Sequence, residues 1–127
     1  MSAHPERYKP ENYPDLSPYL LVADVRASLA FVQAVFGSSA IHVETNENGD
    51  AVHAEVRVGD GIVMIGRQDG YEAMLHVYVR DPKVTFDRAI AAGASVLEPV
   101  QTKSDGHQRG GVRDLSGTSW YFSRMMV

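Results

Sequence analysis

With 127 residues, 44% of them apolar, the chain suffices for one globular domain and is too short for two of ordinary size. A net charge of −4 without a basic stripe argues against nucleic acid as a partner, and no apolar run approaches the ~20 residues that a membrane helix needs. The absence of cysteine excludes disulfides and thiolate chemistry, and the start Met1-Ser2-Ala3-His4-Pro5-Glu6 lacks the apolar core of a secretory signal, so the expected compartment is the cytoplasm.

Residues 1–15 carry Pro5, Pro10 and Pro14 among charged side chains and read as an extended arm, with Tyr8 and Tyr13 available to pin it to a surface. Residues 16–127 read as a single domain. Pro18–Ala23 is a buried strand, and Asp24 is the expected N-cap of the next helix because its carboxylate can accept orphan amides. Val25, Leu29, Val32 and Phe36 make one apolar stripe at helical spacing, and Gly37 suits a left-handed cap. Strands follow at Ala40–Thr45, Ala51–Val58 and Gly61–Gly66, with turn signals at Asn48-Gly49 and Gly59-Asp60-Gly61. Within Ala51–Val58, Val52, Ala54, Val56 and Val58 share one face, and His53, Glu55 and Arg57 share the other.

The plan then repeats. Met74–Val79 is a strand, Asp81-Pro82 opens a helix with Pro82, Phe86, Ala89 and Ile90 inward, and Gly93 ends it. Strands are expected near Ser95–Glu98, Gly110–Arg113 and Ser119–Arg124, with a longer loop over Gln101–Arg109. Asp24 and Asp81, and likewise Leu29 and Phe86, are separated by the same 57 positions. The chain is therefore read as an α+β fold of two βαβββ modules, about 16–66 and 74–126, with helices outside a curved mixed sheet. Neither half can close its own core, so the two must pack together, and the cleft between them is the place to look for a ligand.

Ser17–Asp24, Ala34-Val35-Phe36-Gly37, His53–Asp60, Leu75–Asp81 and Arg109–Asp114 with Gly117 and Trp120 occur in an order that resembles the vicinal oxygen chelate superfamily. That superfamily includes glyoxalase I, bleomycin-resistance proteins and extradiol dioxygenases, and within it the chain most resembles the PhnB-like subgroup. The resemblance implies a glyoxalase/bleomycin-resistance-type fold and a homodimer. It departs at Asp114-Leu115, where the family usually has Asp-Pro. Metal-dependent members of the family carry four ligands, typically His, Gln or Glu, at positions that fall here on Ser17, Met64, Met74 and Tyr121. A hydroxyl, two thioethers and a phenol are a poor set for Zn²⁺, Ni²⁺, Fe²⁺ or Mn²⁺, so neither a metal nor another cofactor is expected.

Strand parity then assigns the cleft lining. Tyr19, Leu21, His53, Glu55, Arg57, Met64, His76, Tyr78, Arg113 and Tyr121 are the candidate ligand-binding residues, and no catalytic residue is assigned. Aromatic rings and thioethers with a few polar anchors suit a flat organic ligand. The same residues have plainer readings: methionines that fill core gaps, tyrosines that roof a core, and His53, Glu55 and Arg57 as solvated cross-strand neighbours. Trp120 is expected in the helix-side core, Arg109 in an ion pair or against an anionic ligand group, and His4 and His107 in solvent. The expected function is metal-independent capture of an aromatic or amphipathic small molecule in the cleft. The alternatives are a metal-dependent lyase, isomerase or dioxygenase with unconventional ligands such as His53, Glu55 and His76, a metal-free enzyme with His76 or Glu55 as base, and a scaffold with a filled cleft.

Overall fold

The computed structural model describes residues 8–126. The first module runs β1 (Tyr19–Val22), α1 (Val25–Phe36), β2 (Ala40–Thr45), β3 (Ala51–Val58) and β4 (Gly61–Arg67). The second runs β5 (Met74–Tyr78), α2 (Pro82–Ala91), β6 (Ser95–Thr102), β7 (His107–Arg113) and β8 (Ser119–Met125). The eight strands divide into two four-stranded sheets, ordered β1-β4-β3-β2 and β5-β8-β7-β6. Within each sheet the first and last strands of the module are parallel and the other neighbours antiparallel. The repeat is thus a repeat of topology as well as of sequence.

Local chemistry sets the element ends. The Asp24 carboxylate accepts from the Ala27 amide at 3.0 Å, and Asp81 accepts from Val84 at 3.2 Å, so both helices start on the same cap. Gly37 ends α1 at φ 70°, a left-handed conformation that favours glycine. One expected boundary needs correction. The Gln101–Arg109 loop is mostly strand: β6 continues to Thr102, β7 begins at His107, and the Lys103 amide closes the hairpin onto the His107 carbonyl at 2.7 Å. Gly, Asp and Ser in this segment form a tight turn, with Gly106 at φ 87° and Asp105 accepting from the His107 amide, rather than an open loop.

The core is continuous across both modules. Leu20, Val22, Val25, Val32, Val35, Val56 and Ile65 from the first join Phe86, Val112, Trp120 and Phe122 from the second. The join is aromatic. Phe31 and Phe36 of α1 lie 6.2 and 5.6 Å from the Trp120 ring, and Phe36 meets Phe122 edge-on at 6.0 Å. Trp120 is fully buried, and its indole N–H donates to Asp114 Oδ2 at 2.9 Å. Asp114, itself buried, accepts at Oδ1 from the amides of Ser116 and Thr118. One carboxylate therefore holds the β7–β8 turn and the largest core side chain, while Leu115 beside it points outward, 86% exposed.

Replacing Asp114 by Ala leaves an indole N–H and two amides without their acceptor. We expect Asp114→Ala to cost about 2–4 kcal/mol of stability, read by urea denaturation with Trp120, the one tryptophan, as fluorophore. A loss below about 0.5 kcal/mol would show that water replaces the carboxylate.

Candidate functional site

Each sheet has one side against the helices and one side away from them, and strand alternation decides which residues take which side. On the first sheet Leu20, Val22, Ala54, Val56, Val63 and Ile65 join the core. Tyr19, Leu21, His53, Glu55, Arg57 and Met64 therefore fall on the outer side. On the second, Val112, Trp120 and Phe122 join the core, and His76, Tyr78, Arg113 and Tyr121 fall on the outer side. The ten sequence-predicted residues form two groups, one per sheet.

The first group is built around a hydrogen-bonded line. Tyr19 pairs in register with Met64, and its ring lies flat across Gly66, where an added Cβ would stand 2.8 Å from Tyr19 Cε1. That lack of a side chain lets the Tyr19 hydroxyl reach His53 Nδ1 at 3.1 Å. His53 Nε2 lies 2.8 Å from Glu55 Oε2. The Tyr13 hydroxyl donates to the other Glu55 oxygen. The His42 ring stands 6.2 Å from His53. Tyr13 belongs to the N-terminal arm, which is tied a second time where Arg57 Nη2 donates to the Asn12 carbonyl at 3.2 Å. Residues 8–15 of the arm thus fold onto the chain's own first module; residues 1–7, His4 among them, lie outside the described residues.

Glu55 carries the electrostatics of this group. Burial pushes its carboxyl up, but hydrogen bonds from His53 and Tyr13 outweigh burial and hold it below the ordinary 4.5. The ionised carboxylate can only accept, so His53 Nε2 carries the hydrogen.

The second group has a different polarity. Arg109 Nε donates to the buried Ser123 hydroxyl at 3.0 Å, and His76 Nε2 meets the same oxygen at 3.0 Å. Arg109 also pairs with Asp105 at 3.1 Å, so its ion-pair reading describes the contact it makes. Burial, then the positive charges of Arg109 and His107, hold the His76 imidazole below its ordinary 6.5. Tyr78 is edge-on to His76 at 4.7 Å and lies 6.0 Å from His107. His107 is therefore half-buried beside an aromatic ring rather than solvated as expected. Tyr121 covers Gly111 as Tyr19 covers Gly66. Arg113 bonds Glu72 at the sheet margin.

Register makes the two groups counterparts. Tyr19 pairs with Met64 and His53 with Gly66; His76 pairs with Tyr121 and Arg109 with Ser123. Tyr19 thus corresponds to His76, His53 to Arg109, and Gly66 to Ser123. Where the modules meet, Pro18 and the β3–β4 turn face β5 across a cavity of about 530 Å³, lined by Val58, Ile62, Val63, His76, Tyr78 and Trp120 among others. A recess of about 110 Å³ lies beside Tyr19 and Leu21.

The four positions at which the resemblance implies metal ligands offer a poor donor set. Ser17 and Met64 lie in or beside the first sheet, and Met74 and Tyr121 in the second. Met74 is 69% exposed, and the four offer hydroxyl, thioether and phenol groups. The displaced set fares no better: His53 and Glu55 sit on one sheet and His76 on the other, and no three His, Asp or Glu side chains converge as donors among the described residues.

Tyr13, His42, Arg109, Ser123 and His107 complete the two groups but were not among the predicted lining residues. Ser123 was legible in principle, two positions beyond Tyr121 on the same strand. Tyr13 was expected to pin the arm to a surface but its partner was not legible, and His42 depends on the register shift in β2 between Ala40 and His42, for which the sequence carries no signal.

Gly66→Ala should push the exposed Tyr19 ring off His53 with little loss of stability, because the obstructed atoms are the far end of a side chain with open solvent to swing into. Loss of the Tyr19–His53 NOE with Tm nearly unchanged is expected; an intact NOE would show that the ring does not need the glycine. Glu55 should also leave an acid signature. Its folded pKa is depressed, so its stabilisation is fully present above 4.5 and is lost as pH falls through the lower folded value. The stability gap between wild type and Glu55→Gln should therefore close on acidification below 4.5. A gap constant from neutral pH to that range would contradict this account.

No family model matches the chain. The uncharacterized protein Mb0911c of Mycobacterium bovis is 26% identical over 122 residues, covering 84% of this chain and 80% of its own length. TioX from Micromonospora sp. ML1 superposes with a TM-score of 0.78 at 29% identity, over 88% of this chain and 98% of TioX. A glyoxalase/bleomycin resistance protein/dioxygenase family enzyme from Burkholderia phytofirmans superposes with a TM-score of 0.70 at 16% identity, over 86% and 96% of the two chains. With its paired βαβββ modules, the chain has the vicinal oxygen chelate fold of the glyoxalase, bleomycin resistance and dioxygenase proteins.

Proposed function

We propose that the chain is a metal-independent small-molecule-binding protein of the glyoxalase/bleomycin-resistance type, of the PhnB-like branch, working in the cytoplasm. The observation that carries this is the donor set. The resemblance implies metal ligands at or near Ser17, Met64, Met74 and Tyr121, and none of these is a good ligand for a divalent transition metal. What the outer faces offer is aromatic and thioether surface: Tyr19 is 53% exposed, Tyr78 67% and Met74 69%. Such surface stacks on flat apolar ligands and gives on the order of 25 cal/mol per Å² buried, enough for micromolar binding of an aromatic or amphipathic molecule without an ion.

The same exposure supports a homodimer. Each outer face exposes large aromatic or thioether side chains, and pairing the first sheet of one chain with the second sheet of another would enclose both groups in a common cleft. No nucleic-acid or membrane partner is proposed: the net charge is −4, and no helix among the described residues is long and apolar enough to cross a membrane.

Two measurements test this reading. Light scattering should give twice 13.9 kDa, and a clean monomer counts against the enclosed cleft. Protein purified without added metal should contain no stoichiometric zinc, nickel, iron or manganese and should bind flat aromatic compounds. Stoichiometric metal that is lost on His53→Ala or His76→Ala would make the protein a metalloenzyme instead.

A further inference from the structure

The line Tyr13–Glu55–His53–Tyr19 has a direction, and the direction ends at solvent. Glu55 is an ionised acceptor at both oxygens: the Tyr13 hydroxyl donates to one and His53 Nε2–H to the other. A neutral imidazole with its hydrogen on Nε2 has only a lone pair at Nδ1. Nδ1 must then accept from the Tyr19 hydroxyl, 3.1 Å away. With its hydrogen committed inward, Tyr19 Oη presents only lone pairs outward. Its ring is laid flat over Gly66 and is more than half exposed, so those lone pairs are open to a ligand.

We propose that this line makes Tyr19 Oη a dedicated hydrogen-bond acceptor, and that the ligand of the first sheet is an aromatic molecule carrying a donor, an aryl hydroxyl or aryl N–H, rather than an ether or carbonyl acceptor. This rests on the small-molecule-binding reading above and narrows it to a ligand class. The selectivity comes from Glu55, which the ligand does not touch; Glu55 and His53 are positioning residues, and Tyr19 makes the contact.

The probes are 2-naphthol, which donates, and 2-methoxynaphthalene, which cannot. Calorimetry on the full chain at neutral pH should show naphthol bound about tenfold more tightly by wild type, the effect of one good hydrogen bond. In Tyr19→Phe this preference should be lost, and the ratio that remains is the reference for the intrinsic difference between the probes. Equal ratios in wild type and Tyr19→Phe would overturn the polarity while leaving the binding reading intact. If neither probe nor any other flat aromatic binds, the binding reading fails and the ligand class falls with it. An independent readout needs no ligand: the ¹⁵N chemical shifts of His53 should report the Nε2–H tautomer at neutral pH. An Nδ1–H tautomer would overturn the proposal outright.

Discussion

The fold depends on the aromatic contact between α1 and the second sheet. A single βαβββ module offers one helix and one four-stranded sheet, too little apolar surface for a closed interior. Phe31 and Phe36 cross from the first module to Trp120 and Phe122 of the second, so α1 helps to cover its neighbour's sheet as well as its own. Everything that could bind a ligand follows from this. The helix-facing sides are consumed by the core, and only the outer sides of the sheets are left for chemistry.

Within that constraint, duplication produced two frames with matched positions and different contents. A first-strand side chain reaches across a small residue to a basic one on the third strand: Tyr19 over Gly66 to His53 in one module, and His76 to Ser123 and Arg109 in the other. The first frame is backed by a carboxylate and the second by a guanidinium. The field at one outer face is therefore set by Glu55 and at the other by Arg109 and its neighbouring imidazoles, although the backbone beneath is the same.

Much of this was legible in the sequence. The Asp24 and Asp81 caps, the apolar stripes of both helices, and the alternation through β3 identify elements whose local preference and tertiary role agree, and these have the expected bounds within a residue or two. Trp120 was legible as core because strand parity puts it opposite Tyr121. The β6–β7 hairpin was not, because its polar and glycine residues serve a tight turn and two strand ends that pair with each other, β7 also pairing with β8. At the site, parity identified which side chains leave the core but not which of them meet. That Tyr19 bonds His53 follows from a glycine on the intervening strand in the order β1-β4-β3, and that Tyr13 reaches Glu55 follows from where the arm folds. Both are contacts between residues distant in sequence, invisible to periodicity.

The flat seat of Tyr19 on Gly66 also bears on binding thermodynamics. A tyrosine on an open strand face ordinarily samples several rotamers, and a ligand that stacks on it must freeze them, at about 0.5–1.5 kcal/mol for a side chain with that freedom. Here the ring is held at both ends, by the strand at its root and by His53 at its hydroxyl, with no Cβ beneath to lift it. The ordering entropy has been spent in folding, so an arriving ring meets a surface already in its bound form. The glycine, which makes no polar contact of its own, contributes to affinity through what it permits its neighbour to do.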